Sequence, residues 1–297
     1  MTGLTERAPA KLNLGLTLGP TRADGRHELV TIMQPVELCD TVRLLPAQLG
    51  DAHDEVICPG VEGDNLALAA LTAFRARSGW TGAPVRLEIE KRIPVAAGMA
   101  GGSADAGAAL RLVARAAGLR DDDLLREIAA GLGADVPAQV RPRRYLAAGA
   151  GEVLSALPDP PPFGVLIVRS EHGLSTADVF READRLGLPR SGAELAARGA
   201  ELVATLAAGS AMPDPELLVN DLQPAATSLL PELLQTLQDV REAGAEHTLV
   251  CGSGPTVVGL FRDFDRARSA AVSLGDRRPR PLAVEPWYPP LTGLGEI

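Results

Sequence analysis

Residues 85–118 read VRLEIEKRIPVAAGMAGGSADAGAALRLVARAAG, and this stretch decides the fold class. Val85–Glu90 alternates apolar and charged residues, the period of two of a half-buried strand. Pro94–Ser103 is a loop of small residues. Ala106, Ala109, Leu110, Val113 and Ala117 then fall on one helical face, closed by Gly118. A strand, a glycine-rich loop and a helix in succession belong to an α/β protein. The order also gives the glycines a mechanism, because small residues let backbone N–H groups converge on phosphate oxygens at a helix N-terminus. Ser103 supplies a hydroxyl suited to phosphate or magnesium, and a side chain at Gly101 is expected to enter the phosphate space. The loop is neither G-x-x-x-x-G-K-[ST] nor G-x-G-x-x-G. On the residues alone, a tight turn without a ligand remains the alternative.

Upstream, Asp64 or Asn65 can cap a helix carrying Ala67, Ala70, Leu71 and Phe74 on one face. Further back, KLNLGLTL (Lys11–Leu18) sets Leu12, Leu14, Leu16 and Leu18 on one strand face and Lys11 with Asn13 on the other. Asp-Gly in ADGRH (Ala23–His27) marks a tight turn. Downstream, a helix is expected over Asp121–Leu132, ending at Gly133, with Pro137 blocking its continuation. That places Asp135 just past a helix end, where a carboxylate is disfavoured unless a cation such as Lys11 faces it. An Asp–Lys pair can orient and deprotonate a hydroxyl in phosphoryl transfer. Taken alone, an aspartate bonded to its own turn accounts for the position equally well. RPRR (Arg141–Arg144) reads as a solvated turn. PDPPP (Pro158–Pro162) is the candidate junction between a domain of residues 1–157 and one of residues 158–297. Beyond it come a strand at Val165–Val168, helices at Ser191–Ala208 and Pro231–Ala243, and strands flanking a Gly-Ser-Gly-Pro turn within Thr248–Phe261. There is no internal repeat.

Composition narrows the function classes. The 297 residues carry a net charge of −9, which disfavours non-specific binding to nucleic acid or anionic membranes but allows a local phosphate site. Only two basic residues are lysine, Lys11 and Lys91, so each is a candidate for a task arginine cannot perform. Cys39, Cys58 and Cys251 show no C-x-x-C spacing, which argues against a disulfide framework or a cysteine zinc site. His53, His172 and His247 carry no signal beyond surface or turn positions. The start, MTGLTERAPAK, lacks the apolar run of a signal peptide, and the uncharged stretches are too short to span a bilayer. The expectation is a cytoplasmic protein.

The segments APAKLNLGL, ADGRHEL, PVAAGMAGGSADA, LGADVP, GAGE (Gly149–Glu152) and CGSGPTVVGLF (Cys251–Phe261), in this order, resemble the GHMP kinase superfamily. STADVF (Ser175–Phe180) and NDLQPAA (Asn220–Ala226) extend the resemblance over nearly the whole chain. It implies a two-domain α/β (α+β) kinase with an N-terminal nucleotide-binding domain of left-handed-crossover type, a ferredoxin-like C-terminal domain and a cleft. It implies ATP and Mg2+ as cofactors, with the metal ligands left open. Within the superfamily the segments are similar to enzymes that phosphorylate a cytidine-diphosphate alcohol in non-mevalonate isoprenoid-precursor biosynthesis. A homoserine- or mevalonate-type kinase is the alternative, and so is a catalytically silent nucleotide-binding protein.

By the same resemblance, Lys11 and Asp135 are the catalytic pair. ATP would lie on Pro94, Val95, Ala96, Ala97, Gly98, Met99, Ala100, Gly101, Gly102, Ser103 and Ala104, with Asn65 and Lys91 towards the nucleotide. Asn13, His27, Thr176 and Phe180 would line the cytidine side, and Gly252, Ser253 and Gly254 would form a third glycine motif. The small-molecule substrate is the implied partner, and oligomeric state is left open. Three features depart from the pattern. Arg26 stands where the family usually has an aromatic before His27, Cys251 stands where serine is commoner, and the loop carries Ala96, Ala97 and Ala100 where many relatives have more glycine. Arg26 could stack on a cytosine through its guanidinium plane or point to solvent.

Overall fold

The computed structural model describes residues 3–48, 53–95, 97–207 and 215–288, so Ala96 of the expected phosphate loop lies outside the described residues. Two long strands open the chain, β1 (Leu4–Thr21) and β2 (His27–Pro46), and they pair with each other. Gly25, in the turn between them, has φ +81°, a conformation glycine adopts without the clash a Cβ would bring. Leu12, Leu14, Leu16 and Leu18 are buried as expected, but so are Lys11, Asn13 and Thr17 on the opposite face. Alternation identifies an apolar face; it does not say whether the other face meets water.

The described residues gather into two compact units, each discontinuous in sequence. One holds the residues to Lys11, Leu38–Val95 and Met99–Pro142; the other holds Leu12–Glu37, Ala97–Gly98 and the chain from Arg143 onward. The first unit adds β3 (Glu55–Ile57), α1 (Leu66–Ser78), β4 (Val85–Glu90), α2 (Gly101–Ala117), α3 (Asp122–Ala130) and α4 (Val136–Val140). β4 pairs antiparallel with Thr41–Pro46 of β2 and parallel with β3. Asn65 caps α1, its Oδ1 accepting the Ala67 N–H at 2.9 Å, and Phe74 and Leu71 are fully buried. The apolar stripe of α2 explains its packing on α1 and α4. A Cβ at Gly107 would stand 2.5 Å from Gln139 Cβ, so glycine there lets α4 lie directly on α2.

Two expectations about this region are corrected. α3 ends at Gly131 rather than Gly133, and Asp135 does not trail a helix. Asp135 is the N-cap residue of α4, with Pro137 in the first turn, where proline's missing N–H is harmless. A proline that blocks one helix has started another, so the helix dipole favours this carboxylate instead of opposing it.

The second unit contains β5 (Tyr145–Ala148), paired with β2 through Thr31–Met33, and β6 (Val153–Ala156) in a hairpin with β5. It continues through β7 (Gly164–Val168), α5 (Thr176–Arg185), α6 (Gly192–Ala207), α7 (Gln223–Leu229), α8 (Glu232–Glu242), β8 (His247–Val250), β9 (Val257–Phe261), α9 (Phe264–Ser273) and β10 (Leu282–Val284). The order β10-β7-β9-β8, antiparallel throughout, is the ferredoxin-like arrangement. Leu166, Val168, Val179, Leu237, Val257 and Phe261 belong to its core. Arg144 corrects the expectation of a solvated RPRR turn. It is 2% exposed, and burial lowers its pKa to about 10. No helix among the described residues is long and apolar enough to cross a membrane.

Candidate active site

In the first unit, Lys11 of β1 faces Asp135, with Nζ 3.4 Å from Oδ1. Arg111 of α2 fixes both supports of this pair. It donates through Nη1 to Gln139 O at 2.5 Å on α4 and through Nη2 to Arg7 O at 3.0 Å on β1. Burial lowers the Arg111 pKa, with Glu6 opposing. The Asp135 carboxylate makes no capping bond to α4 and is one-third exposed, so it is positioned without being consumed by its own backbone.

α2 begins at Gly101, which makes Gly101, Gly102 and Ser103 its first turn rather than part of the preceding loop. Their N–H groups have no intrahelical acceptor, as at any helix start, and Ala100 offers no side-chain cap. Ala100 is the one non-glycine residue with positive φ among the described residues, at +54°. The Met99 carbonyl accepts the Lys11 N–H at 3.1 Å, and the Met99 side chain is buried, so any ligand contact from this residue is through backbone. A Cβ on Gly101 would press on Ile93 at 3.0 Å and Lys91 Nζ at 3.3 Å, whereas one on Gly102 would meet nothing within 4 Å. The open direction is therefore at Gly102, which corrects the expectation for Gly101.

Lys91 is turned onto two carboxylates, Asp40 Oδ2 at 2.5 Å and Asp105 Oδ2 at 2.7 Å. Asp40 is fully buried, and its Oδ1 also accepts the N–H groups of Arg92 and Ile93 at 2.5 and 2.8 Å. Burial opposes the Lys91 charge, and Asp105 and Asp40 more than offset it, so its pKa stands above the ordinary lysine value. Asp105 goes the other way for a carboxyl. Burial, with Asp40 adding and Lys91 opposing, raises its pKa to about 7. Sequence reasoning singled out Lys91 but neither carboxylate.

In the second unit, Ala97 and Gly98 are held to the β8–β9 turn. Thr256 Oγ1 donates to Ala97 O at 2.7 Å, and the face of Gly98 lies against the Gly254 carbonyl, 3.1 Å from where a Cβ would stand. Asn220, missed in the site reading, ties this turn by donating from Nδ2 to Val250 O and Gly252 O, both at 2.7 Å. Asn13 donates from Nδ2 to Thr31 Oγ1 at 3.0 Å, and its N–H reaches Cys251 Sγ at 3.3 Å. The thiol thus serves as an acceptor where a serine hydroxyl would. Thr176 and Ser253 meet through their hydroxyls at 3.0 Å. His27 is buried beside Phe180, ring centroids 5.3 Å apart, with Nε2 2.8 Å from Asp184 Oδ1. Arg26 is exposed and folds back on Asp24 through Nε at 3.1 Å and Nη2 at 2.9 Å. Pro94 and the exposed Val95 open the loop, and Ala104 is buried in α2.

Two family models match this chain, the GHMP kinases N terminal domain over residues 65–142 and the GHMP kinases C terminal domain over residues 193–278. The fold and the site therefore define a GHMP kinase, with the two-domain α/β architecture expected from the sequence. A 4-diphosphocytidyl-2-C-methyl-D-erythritol kinase of Corynebacterium efficiens is 40% identical, covering 98% of this chain and 95% of its own. One of Streptomyces coelicolor is 44% identical, covering 90% of each. A crystal structure of 4-(cytidine 5'-diphospho)-2C-methyl-D-erythritol kinase superposes with a TM-score of 0.78 at 33% identity, over 95% of this chain and 99% of that one. A homoserine kinase from Cytophaga hutchinsonii shares the fold at a TM-score of 0.68 and 19% identity, over 92% of this chain and 89% of that one. The chain belongs to the 4-diphosphocytidyl-2-C-methyl-D-erythritol kinase family of the GHMP kinases.

Proposed function

We propose that the chain transfers the γ-phosphoryl group of ATP to the 2-hydroxyl of 4-diphosphocytidyl-2-C-methyl-D-erythritol, in isoprenoid-precursor biosynthesis. The observation that carries this reading is the Lys11–Asp135 pair, fixed by Arg111 in the unit that also holds the start of α2. Asp135 takes the hydroxyl proton, the freed oxygen attacks the γ-phosphorus, and ADP leaves with the electron pair of the broken P–O bond. Lys11 holds the carboxylate in place and offsets negative charge developing on the transferring group. The free N–H groups of Gly101, Gly102 and Ser103 suit the phosphates, and the open face of Gly102 leaves them room. A catalytically silent protein would have no need of this ion pair.

Magnesium fits the same residues. No cluster of three or more His, Cys, Asp or Glu side chains forms a protein cage among the described residues. Magnesium bound to ATP needs only one or two protein oxygens beside the phosphates, and Ser103 would provide one. Bound there, it would neutralise charge on the triphosphate.

On the cytidine side, His27, Phe180, Thr176 and Ser253 support recognition of the nucleoside. The test is ATP turnover with the cytidine-diphosphate alcohol, free methylerythritol, homoserine and mevalonate as acceptors. Turnover confined to the first is expected; equal turnover of a free alcohol refutes the assignment.

A further inference from the structure

His27 opens β2 almost fully buried, and both of its hydrogen-bond contacts fall on one ring nitrogen. Nε2 lies 2.8 Å from Asp184 Oδ1 and 3.3 Å from Thr21 Oγ1. No described residue hydrogen-bonds to Nδ1. Asp184 sits in the last turn of α5, where the helix dipole disfavours a carboxylate, and its side chain is half exposed. A carboxylate in that place gains from a donor, and His27 supplies one.

The chemistry of the pair fixes the proton. An ionised carboxylate only accepts, whereas a hydroxyl can do either. If Nε2 were bare, its lone pair would face Asp184 at 2.8 Å, so the neutral ring carries its proton on Nε2 and presents Nδ1 as an acceptor. Cytosine offers an amino group at C4, and uracil offers a carbonyl oxygen. A bare Nδ1 accepts from the first and repels the second.

We infer that Asp184 is a specificity-positioning residue, which by holding the proton on His27 Nε2 makes Nδ1 an acceptor that selects cytosine over uracil. This rests on the proposed cytidine substrate, with His27 facing the base edge. Asp184 touches no substrate; it acts through the ring of His27. Phe180 packs against that ring, with centroids 5.3 Å apart, and contributes to its burial.

The test compares wild type, Asp184→Ala and Asp184→Asn with cytidine- and uridine-diphosphate alcohols, together with 15N NMR of the His27 ring. In wild type the ring should be in the Nε2–H form, and kcat/KM should favour the cytidine substrate by about 100-fold or more, as expected of a site built to pair one polar group. Asp184→Ala should mix the tautomers and cut the ratio about tenfold or more. The change should appear in KM for the cytidine substrate, with KM for ATP unmoved. Asp184→Asn, which can accept or donate, should fall between. A merely structural role would lower both substrates together. Wild-type cytidine turnover with a ratio unchanged in Asp184→Ala overturns this inference alone. No cytidine turnover in wild type overturns the functional reading and this inference with it.

Discussion

Lys91 faces Asp40 and Asp105, so this buried cluster holds one negative charge in excess when both carboxyls are ionised. Asp105 relieves the excess by keeping a proton up to about pH 7, whereas in an unfolded chain it loses it near 4. Below about pH 4 both states are protonated and the shift contributes nothing. Between about 4 and 7 the folded state keeps a proton that the unfolded state has lost, so stability falls as pH rises and then levels off. Urea unfolding at pH 5 and pH 8 should therefore show Asp105→Asn gaining on wild type at the higher pH. A difference between the two proteins that does not change with pH would refute this. Lys91 was visible in the sequence because lysine is rare here. Asp40 and Asp105 were not, because they lie 51 and 14 residues away and neither makes a local pattern.

Among the elements, α2 shows why sequence patterns locate a helix better than its ends. Its interior was legible from Ala106 to Ala117, but its first turn is glycine and serine, which carry no hydrophobic period. The consequence is chemical, since the residues read as loop are the ones whose N–H groups point along the helix axis. Within that turn neighbouring glycines have different tasks. Gly101→Val should crowd Ile93 and Lys91 and lower stability by about 1–3 kcal/mol, as overpacking does. Gly102→Val, with open space before it, should leave the fold intact and weaken ATP binding by about tenfold or more. Calorimetric titration with ATP and thermal unfolding of both variants check the pair. Unchanged ATP affinity in Gly102→Val would remove the phosphate role from this turn. Asp135 was misplaced for a related reason. Pro137 reads as a breaker in sequence, and only the packing of α4 against α2 through Gly107 and Arg111 shows it as a starter.

For the molecule as a whole, the alternating and helical periods disclosed most elements, and the ordered motifs disclosed the family. The partition into packed units was not legible in the same way. Each unit draws on three separated stretches of chain, and β1 and β2 supply residues to both. The same limit hid Arg144, which is buried and interacts electrostatically with Tyr288 far along the chain. Ligand linkage turns this organisation into a measurement. A ligand that binds only the folded form adds RT ln(1 + [L]/Kd), about 2.7 kcal/mol at a hundredfold excess over Kd. At roughly 2–4 °C per kcal/mol for a chain somewhat shorter than this one, ATP with magnesium should raise Tm by several degrees. With the carboxylate in its proposed role at the acceptor hydroxyl, Asp135→Asn should keep that rise, while kcat falls by about 10²–10⁴-fold as for a lost general base. Scanning calorimetry with and without ATP, run beside the turnover assay, separates the two effects. An Asp135→Asn protein that turns over within a few-fold of wild type would remove Asp135 from the proton transfer. One that loses both the Tm rise and turnover would place the residue in nucleotide binding instead.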